Sequence, residues 1–279
     1  PAVLEVCRFL ERFGIEITCL PVDDLGRVDP AAVKAAIRQD TRLISIMHAN
    51  NEVGTLEPIA AIGSIARAHA IPLHTDAAQS VGKIPTRVDE LGVDLLSVAG
   101  HKLYAPKGIG ALYVRHGLTL ENFCHGAGQE SGRRAGTENV ALIVALGKAC
   151  EIAARDLDRN SAHMQSMRDH LHQGLTAGLT GVRLNGHPEE RLPNTLSVSL
   201  QGVAADRLLA AIGDEIAASA GAACHAETVT ISHVLQAMHV PEEWARGTVR
   251  FSVGRTTTRE DIDTALPVIV AAVERLRKR

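Results

Sequence analysis

RLISIMHANNEVGTLEPIAAIGSIARAHAIPLHTD, residues 42–76, carries two apolar runs on either side of a helical pattern. RLISIMHA at its start is an apolar run of strand length, and IPLHTD at its end is another. Between them PIAAIGSIARAHA has apolar residues at helical spacing, with Pro58 in its first turn, where a missing N–H breaks no helical bond. A strand, a helix and a strand in that order form the unit that joins two parallel strands.

The alternation extends both ways. Upstream, VLEVCRFLERFG reads as a helix ending at Gly14, IEITCL (15–20) as a short β-rich run, and DPAAVKAAIRQD as a short helix with Pro30 early. Downstream, DLLSVAG and GIGALYVR are strand candidates on either side of the Gly- and Pro-punctuated GHKLYAPKG. This pattern predicts an α/β fold whose mostly parallel sheet is covered by helices. From about Asn139 the pattern turns to long helical periodicity, followed by the short strands VRLN and TLSVSL. The tail has a helix at ADRLLAAI, a small-residue loop SAGAACHAET (219–228), a strand TVRFSVG, and a last helix opened by Thr257 with Glu260 as a capping box. The expected organisation is a large lobe over 1–155 and a smaller α+β lobe over 156–279.

Of the 279 residues, 46% are hydrophobic and the formal charge is −3 without long like-charge blocks. That is material for a substantial core, and it points to no nucleic-acid partner. Cysteines stand at 7, 19, 124, 150 and 224, an odd number with no CxxC pair, which fits a reducing, cytoplasmic setting. Outside position 224 they sit in helical or strand-like runs, or beside no partner set, and read as structural. No apolar run has the length of a membrane span, so no membrane partner is expected. The 13 histidines show no metal-ligand spacing, so no metal is expected. Gly82-Lys83 and Gly108-Ile109-Gly110 match neither a Walker loop nor a dinucleotide fingerprint. The chain opens on Pro1 and is expected to lack N-terminal sequence.

In an α/β sheet, ligands sit beyond the carboxyl ends of the strands. Three polar clusters fall there: HANNE after ISIM, HTDAAQS after IPL, and GHK after LLSVA. Any one of them could be an ordinary turn or helix cap. Together they supply a carboxylate at Asp76, amides at Asn51 and Gln79, and the amine of Lys102 beside His101, a set suited to pyridoxal phosphate. A lysine can form a Schiff base with that aldehyde, and a carboxylate keeps its ring nitrogen protonated.

The runs MHANNEVG, HTDAAQSVGK, GHKLYAPKGIGALYVR, GAGQESGRRAGTEN and VRFSVGRTTTREDID resemble those of the cysteine desulfurase and selenocysteine lyase family, in the family's order and over essentially the whole chain. The resemblance implies the fold-type-I, class V aminotransferase architecture with pyridoxal 5'-phosphate as cofactor. It implies Lys102 as Schiff-base lysine, Asp76 as partner of the ring nitrogen, and Asn51 and Gln79 at the ring's phenolic oxygen. It further implies His101 and Thr137 at the phosphate, with Thr137 reaching a neighbouring subunit and so a homodimer. Arg250, with Asn51, would bind the substrate carboxylate. Cys224 would be the nucleophile that takes sulfur from L-cysteine, or selenium from L-selenocysteine, and leaves alanine. The acceptor would be a sulfur-accepting or iron–sulfur scaffold protein. GAACH, GQE and GTEN lie closer to the selenocysteine lyase branch.

Two departures from the family pattern stand out. A phosphate-cradling loop and a ring-stacking histidine belong upstream of Pro1, and Ala99 stands where a phosphate-binding serine is usual. The departures keep open an inactive scaffold as the alternative to an enzyme. A plain aminotransferase would use Lys102 and Asp76 but not Cys224.

Overall fold

The computed structural model describes residues 2–220, 222–225 and 228–278, with the side chains of 222–225 and 228–230 outside that description. In chain order, α1 is Leu4–Glu11, α2 is Pro30–Ala36, and β1, α3 and β2 are Ile44–Met47, Ile59–Ala68 and Leu73–Asp76. Asp29 caps α2, its carboxylate accepting from the Ala31 N–H at 2.8 Å with Pro30 at the first helical position. The strand–helix–strand unit read from residues 42–76 is therefore present, and β1 pairs with β2 in parallel, Met47 opposite Asp76. Helix α4 (Val88–Leu91) leads to β3 (Leu95–Ala99), parallel to β2, and β4 (Gly110–Val114) closes the sheet antiparallel to β3.

This sheet, in order β1-β2-β3-β4, buries Ile44, Leu73 and Leu96 against Ile59, Ile62 and Ala66 of α3. Gly63 is needed there, because a Cβ would stand 2.6 Å from the Leu91 carbonyl oxygen at the end of α4. The predicted strand over 15–20 does not form. The segment runs as coil with Ile15 exposed and pairs with no strand of the sheet, whose outermost member on one side is β1.

Helices α5 (Val140–Arg155) and α6 (Leu157–Gly178) follow, the latter burying Met164, Met167, Arg168, Leu171 and Leu175 along one face. Strands β5 (Val182–Leu184) and β6 (Thr195–Leu200), helix α7 (Ala205–Ile212) and strand β7 (Ser219–Ala220) come next. The segment predicted as a loop over 219–228 is largely extended instead. β8 (Ala222–His225) and β9 (Thr228–Ile231) pair antiparallel as a two-stranded sheet, Cys224 opposite Val229. Gly221, Ala226 and Glu227 lie outside the described residues. Helices α8 (His233–Ala237) and α9 (Glu242–Ala245), strand β10 (Thr248–Ser252) and helix α10 (Arg259–Arg277) complete the chain.

The second sheet, β5-β6-β10-β7, is antiparallel throughout and packs Leu196, Val198, Leu200, Val249 and Phe251 against α6, α7 and α10. The capping box of α10 falls one residue later than predicted. Thr258 accepts from the Asp261 N–H at 3.1 Å, and Asp261 accepts from the Thr258 N–H at 2.8 Å. Thr257 Oγ1 instead accepts from the Gly254 N–H. No helix among the described residues is long and apolar enough to cross a membrane.

The loop after β1 is held by the connection between β5 and β6. Thr55 pairs with Arg191 in an isolated bridge, and Gly54 accepts from the Leu192 N–H at 2.8 Å. Nearby, buried Glu57 accepts from the Val28 N–H at 2.9 Å. Burial pushes its carboxyl from 4.5 up to about 7, against the weaker pulls of that N–H and of Arg27. The folded chain therefore holds this proton more tightly than the unfolded chain, and stability falls as pH rises from about 4.5 to 7. Glu57→Gln keeps an acceptor for Val28 without the charge. It is expected to stabilise the protein by up to roughly 3 kcal/mol at pH 8 and hardly at all at pH 4. Urea titrations at both pH values check this; equal effects at the two would contradict it.

Candidate active site

The carboxyl ends of β1, β2 and β3 lie side by side, and the chain turns there through the three polar clusters. At the end of β2, Asp76 is half-buried and one oxygen, Oδ1, accepts from the Ala78 N–H at 2.9 Å, so the turn reading of this residue is met. Its Oδ2 receives no hydrogen bond from a described residue. Gln79 follows in the same turn, which is closed by bonds from the Ser80 and Val81 N–H groups to the Ala77 oxygen. One strand over, the His48 N–H donates to the Asp76 carbonyl at 2.9 Å, and His48 Nδ1 meets Ser80 Oγ at 2.9 Å. Both are buried, and burial lowers the His48 imidazole to about 4, so it is neutral near pH 7.

Lys102 and His101 sit on a single 3₁₀ turn, Gly100–Leu103, directly after β3. Gly100 starts that turn pressed on β4, its N–H donating to the Ile109 oxygen at 3.0 Å. A Cβ at position 100 would stand 2.8 Å from that same oxygen and 3.0 Å from Ile109 Cγ2. Gly100→Ala is accordingly expected to cost about 1–3 kcal/mol and to displace the turn that carries Lys102. Chemical denaturation measures the cost, and an unchanged midpoint would refute it. The Lys102 side chain is half-buried, and its Nζ bonds to no described residue.

Arg250, on β10, reaches across to the first loop. Its Nη1 donates to the Asn51 carbonyl oxygen at 2.7 Å and its Nη2 to Ser219 Oγ at 3.3 Å. Its buried Nε has no partner among the described residues. The guanidinium thus keeps donors for one planar acceptor such as a carboxylate. Asn51 itself is exposed and meets Arg250 through its backbone. Thr137 is exposed on the segment before α5, and no described hydrogen bond links it to the other candidates. Cys224 lies on β8, with its side chain outside the described residues. Of the cysteines read as structural, 19, 124 and 150 are exposed and 7 is half-buried.

The donor set fits pyridoxal phosphate on two observations: one carboxylate oxygen of Asp76 and, one strand away, the amine of Lys102 have no hydrogen-bond partner among the described residues. Other residues of the site region were not singled out from the sequence. Lys83 Nζ donates to the Gln79 oxygen at 2.9 Å, Ser232 Oγ donates to a Glu52 carboxylate oxygen, and the Tyr104 hydroxyl accepts from the Arg255 N–H at 3.0 Å. Tyr104 carried a legible signal in its place between Gly100 and Pro106, where a tight turn is expected, and its φ of 70° meets that expectation. Lys83, Glu52 and Ser232 had none, because their partners are remote or local backbone that sequence does not reveal.

The class-V aminotransferase family model matches residues 1–265. A cysteine desulfurase IscS of Dictyoglomus turgidum is 48% identical over 277 residues, which are 99% of this chain and 70% of that protein. The cysteine desulfurase IscS of Methanosarcina thermophila is 46% identical over 99% of this chain and 68% of its own length. Among solved structures, a NifS-like protein superposes with a TM-score of 0.90 at 36% identity, over 98% of this chain and 72% of that one. SspA in complex with cysteine superposes with a TM-score of 0.76 at 38% identity, over 92% of this chain and 71% of that one.

Proposed function

We propose that this chain, which belongs to the class-V aminotransferase family and aligns along nearly its whole length with cysteine desulfurases, removes sulfur from L-cysteine to give L-alanine and a persulfide on Cys224. The observation that carries the reading is the neighbouring placement, at adjacent strand ends, of the Lys102 amine and an Asp76 oxygen that have no partner among the described residues. Pyridoxal phosphate, when bound, supplies an electron sink for the substrate's α-carbon.

The chain's own residues have separable tasks. Lys102 offers the amine that captures the cofactor aldehyde, and Asp76 Oδ2 holds a proton on the ring nitrogen. Asn51 and Gln79 address the phenolic oxygen, and His101 and Thr137 the phosphate, with Thr137 serving the partner site of a homodimer. Arg250 grips the substrate carboxylate with its remaining donors. The Cys224 thiolate attacks the substrate sulfur: an S–S bond forms, the substrate C–S bond breaks, and its electron pair goes to the β-carbon, which takes a proton to become the methyl group of alanine. The persulfide sulfur then passes to a sulfur-acceptor or iron–sulfur scaffold protein. We assign the cofactor lobe to 1–155 and the smaller lobe to 156–279.

Selenocysteine as substrate is the second reading, favoured by the GAACH, GQE and GTEN runs. Alanine release from L-cysteine and from L-selenocysteine by the protein supplied with pyridoxal phosphate tests both. Cys224→Ala is expected to lower alanine release from L-cysteine by about 10²-fold or more. Full activity in that variant would remove the desulfurase reading and favour an aminotransferase, and no cofactor band in the parent protein would favour the scaffold.

A further inference from the structure

We propose that Lys83, which has no task in the chemistry above, is a positioning residue for Lys102: its buried ammonium joins the peptide of Lys102 to that of Gln79 and so fixes the two cofactor loops against each other. The inference rests on the pyridoxal phosphate reading of Lys102.

Lys83 is only 9% exposed. Its Nζ donates to the Gln79 oxygen at 2.9 Å and lies 3.4 Å from the Lys102 oxygen, the longer of the two bonds. It forms no ion pair with a carboxylate among the described residues. Its own N–H donates to the Ser80 oxygen at 3.0 Å, and Ser80 is in turn held by buried His48. The preceding residue, Gly82, has φ +76°, and a Cβ there would meet Ala153 on α5 at 3.2 Å and Leu103, next to Lys102, at 3.3 Å. The segment is therefore clamped between α5 and the turn that carries Lys102.

An ammonium buried without a counter-charge is costly, and an apolar side chain of similar length would avoid that cost. What the ammonium adds is three donors, which bridge carbonyls on two loops 23 residues apart in sequence. Burial, and next the charge of Lys102, lower the Lys83 ammonium to about 8, so it is mostly charged near pH 7. Capture of an aldehyde depends on the approach of one amine, and an error of about 1 Å in its placement can slow such a step by up to 10²-fold.

The test separates capture from binding. Pyridoxal phosphate is added to the protein, borohydride is added at timed intervals to reduce the C=N bond formed with Lys102, and the modified peptide is quantified by mass spectrometry. Lys83→Met, with folding verified by circular dichroism, is expected to slow trapping at Lys102 about tenfold or more. Cofactor affinity, measured by equilibrium dialysis on Lys102→Ala with and without Lys83→Met, is expected to change by less than about twofold. Lys83→Arg keeps the charge and donors; it is expected to recover part of the rate and carries the test if Lys83→Met does not fold. Equal trapping rates in wild type and Lys83→Met, or an affinity that falls as much as the rate, would overturn the proposal. Absence of trapping at Lys102 in the wild type would instead refute the cofactor reading on which it rests.

Discussion

Lys102→Ala is expected to abolish the visible absorption that added pyridoxal phosphate gains on the protein and to reduce alanine formation from L-cysteine by about 10³-fold or more. The variant should fold normally, because the Lys102 side chain bonds to no described residue and only its backbone oxygen takes part in the Lys83 tie. Loss of function with an unchanged unfolding midpoint is thus the expected pair of results. A second lysine does not replace it: Lys83 is close but buried, with its ammonium turned to backbone carbonyls. Retention of both band and activity in Lys102→Ala would show that another amine captures the cofactor.

The largest expected effect on stability belongs to Arg191. This residue is 5% exposed, and its Nη2 donates to the Val53 oxygen at 3.2 Å and to the Thr195 oxygen at 2.9 Å. Its Nη1 lies 3.5 Å from the oxygens of Asn185 and His187. Burial, and next the charge of Arg168, lower its guanidinium only to about 10, so it is charged near pH 7. Arg191→Leu leaves those carbonyls buried without their donor and is expected to cost about 3–5 kcal/mol. Arg191→Lys keeps a charge but not the fork, and should fall between. Val53 lies two residues after Asn51, so loosening it also loosens the loop that Arg250 grips. Urea denaturation decides the matter, and a loss below about 1 kcal/mol would contradict the role given to these bonds.

The shared placement of the proposed cofactor residues was the most legible feature. Asp76 ends an apolar run of strand length and Gln79, His101 and Lys102 follow such runs, and the strand–helix–strand unit at 42–76 puts such ends on one edge. Features that depend on a partner elsewhere were not. Residues 15–20 have strand composition but pair with no strand among the described residues, whereas the small residues at 222–225 look like loop yet pair with 228–231. The cap of the last helix was off by one because Thr256, Thr257 and Thr258 precede Glu260 and Asp261, and only the backbone geometry selects among them. Nothing in the sequence marks Lys83 and Arg191 as interior, because the Lys102 and Val53 carbonyls they meet come from loops distant in sequence.

The most direct measurement of the central claim is a single turnover. The protein, supplied with pyridoxal phosphate, is mixed with one equivalent of L-cysteine, and the peptide containing Cys224 is weighed by mass spectrometry alongside an assay of alanine. One added sulfur on Cys224 and one alanine released for each are expected, with both lost in Lys102→Ala. Alanine formed with Cys224 unmodified, or sulfur found on Cys19, Cys124 or Cys150 instead, would contradict it.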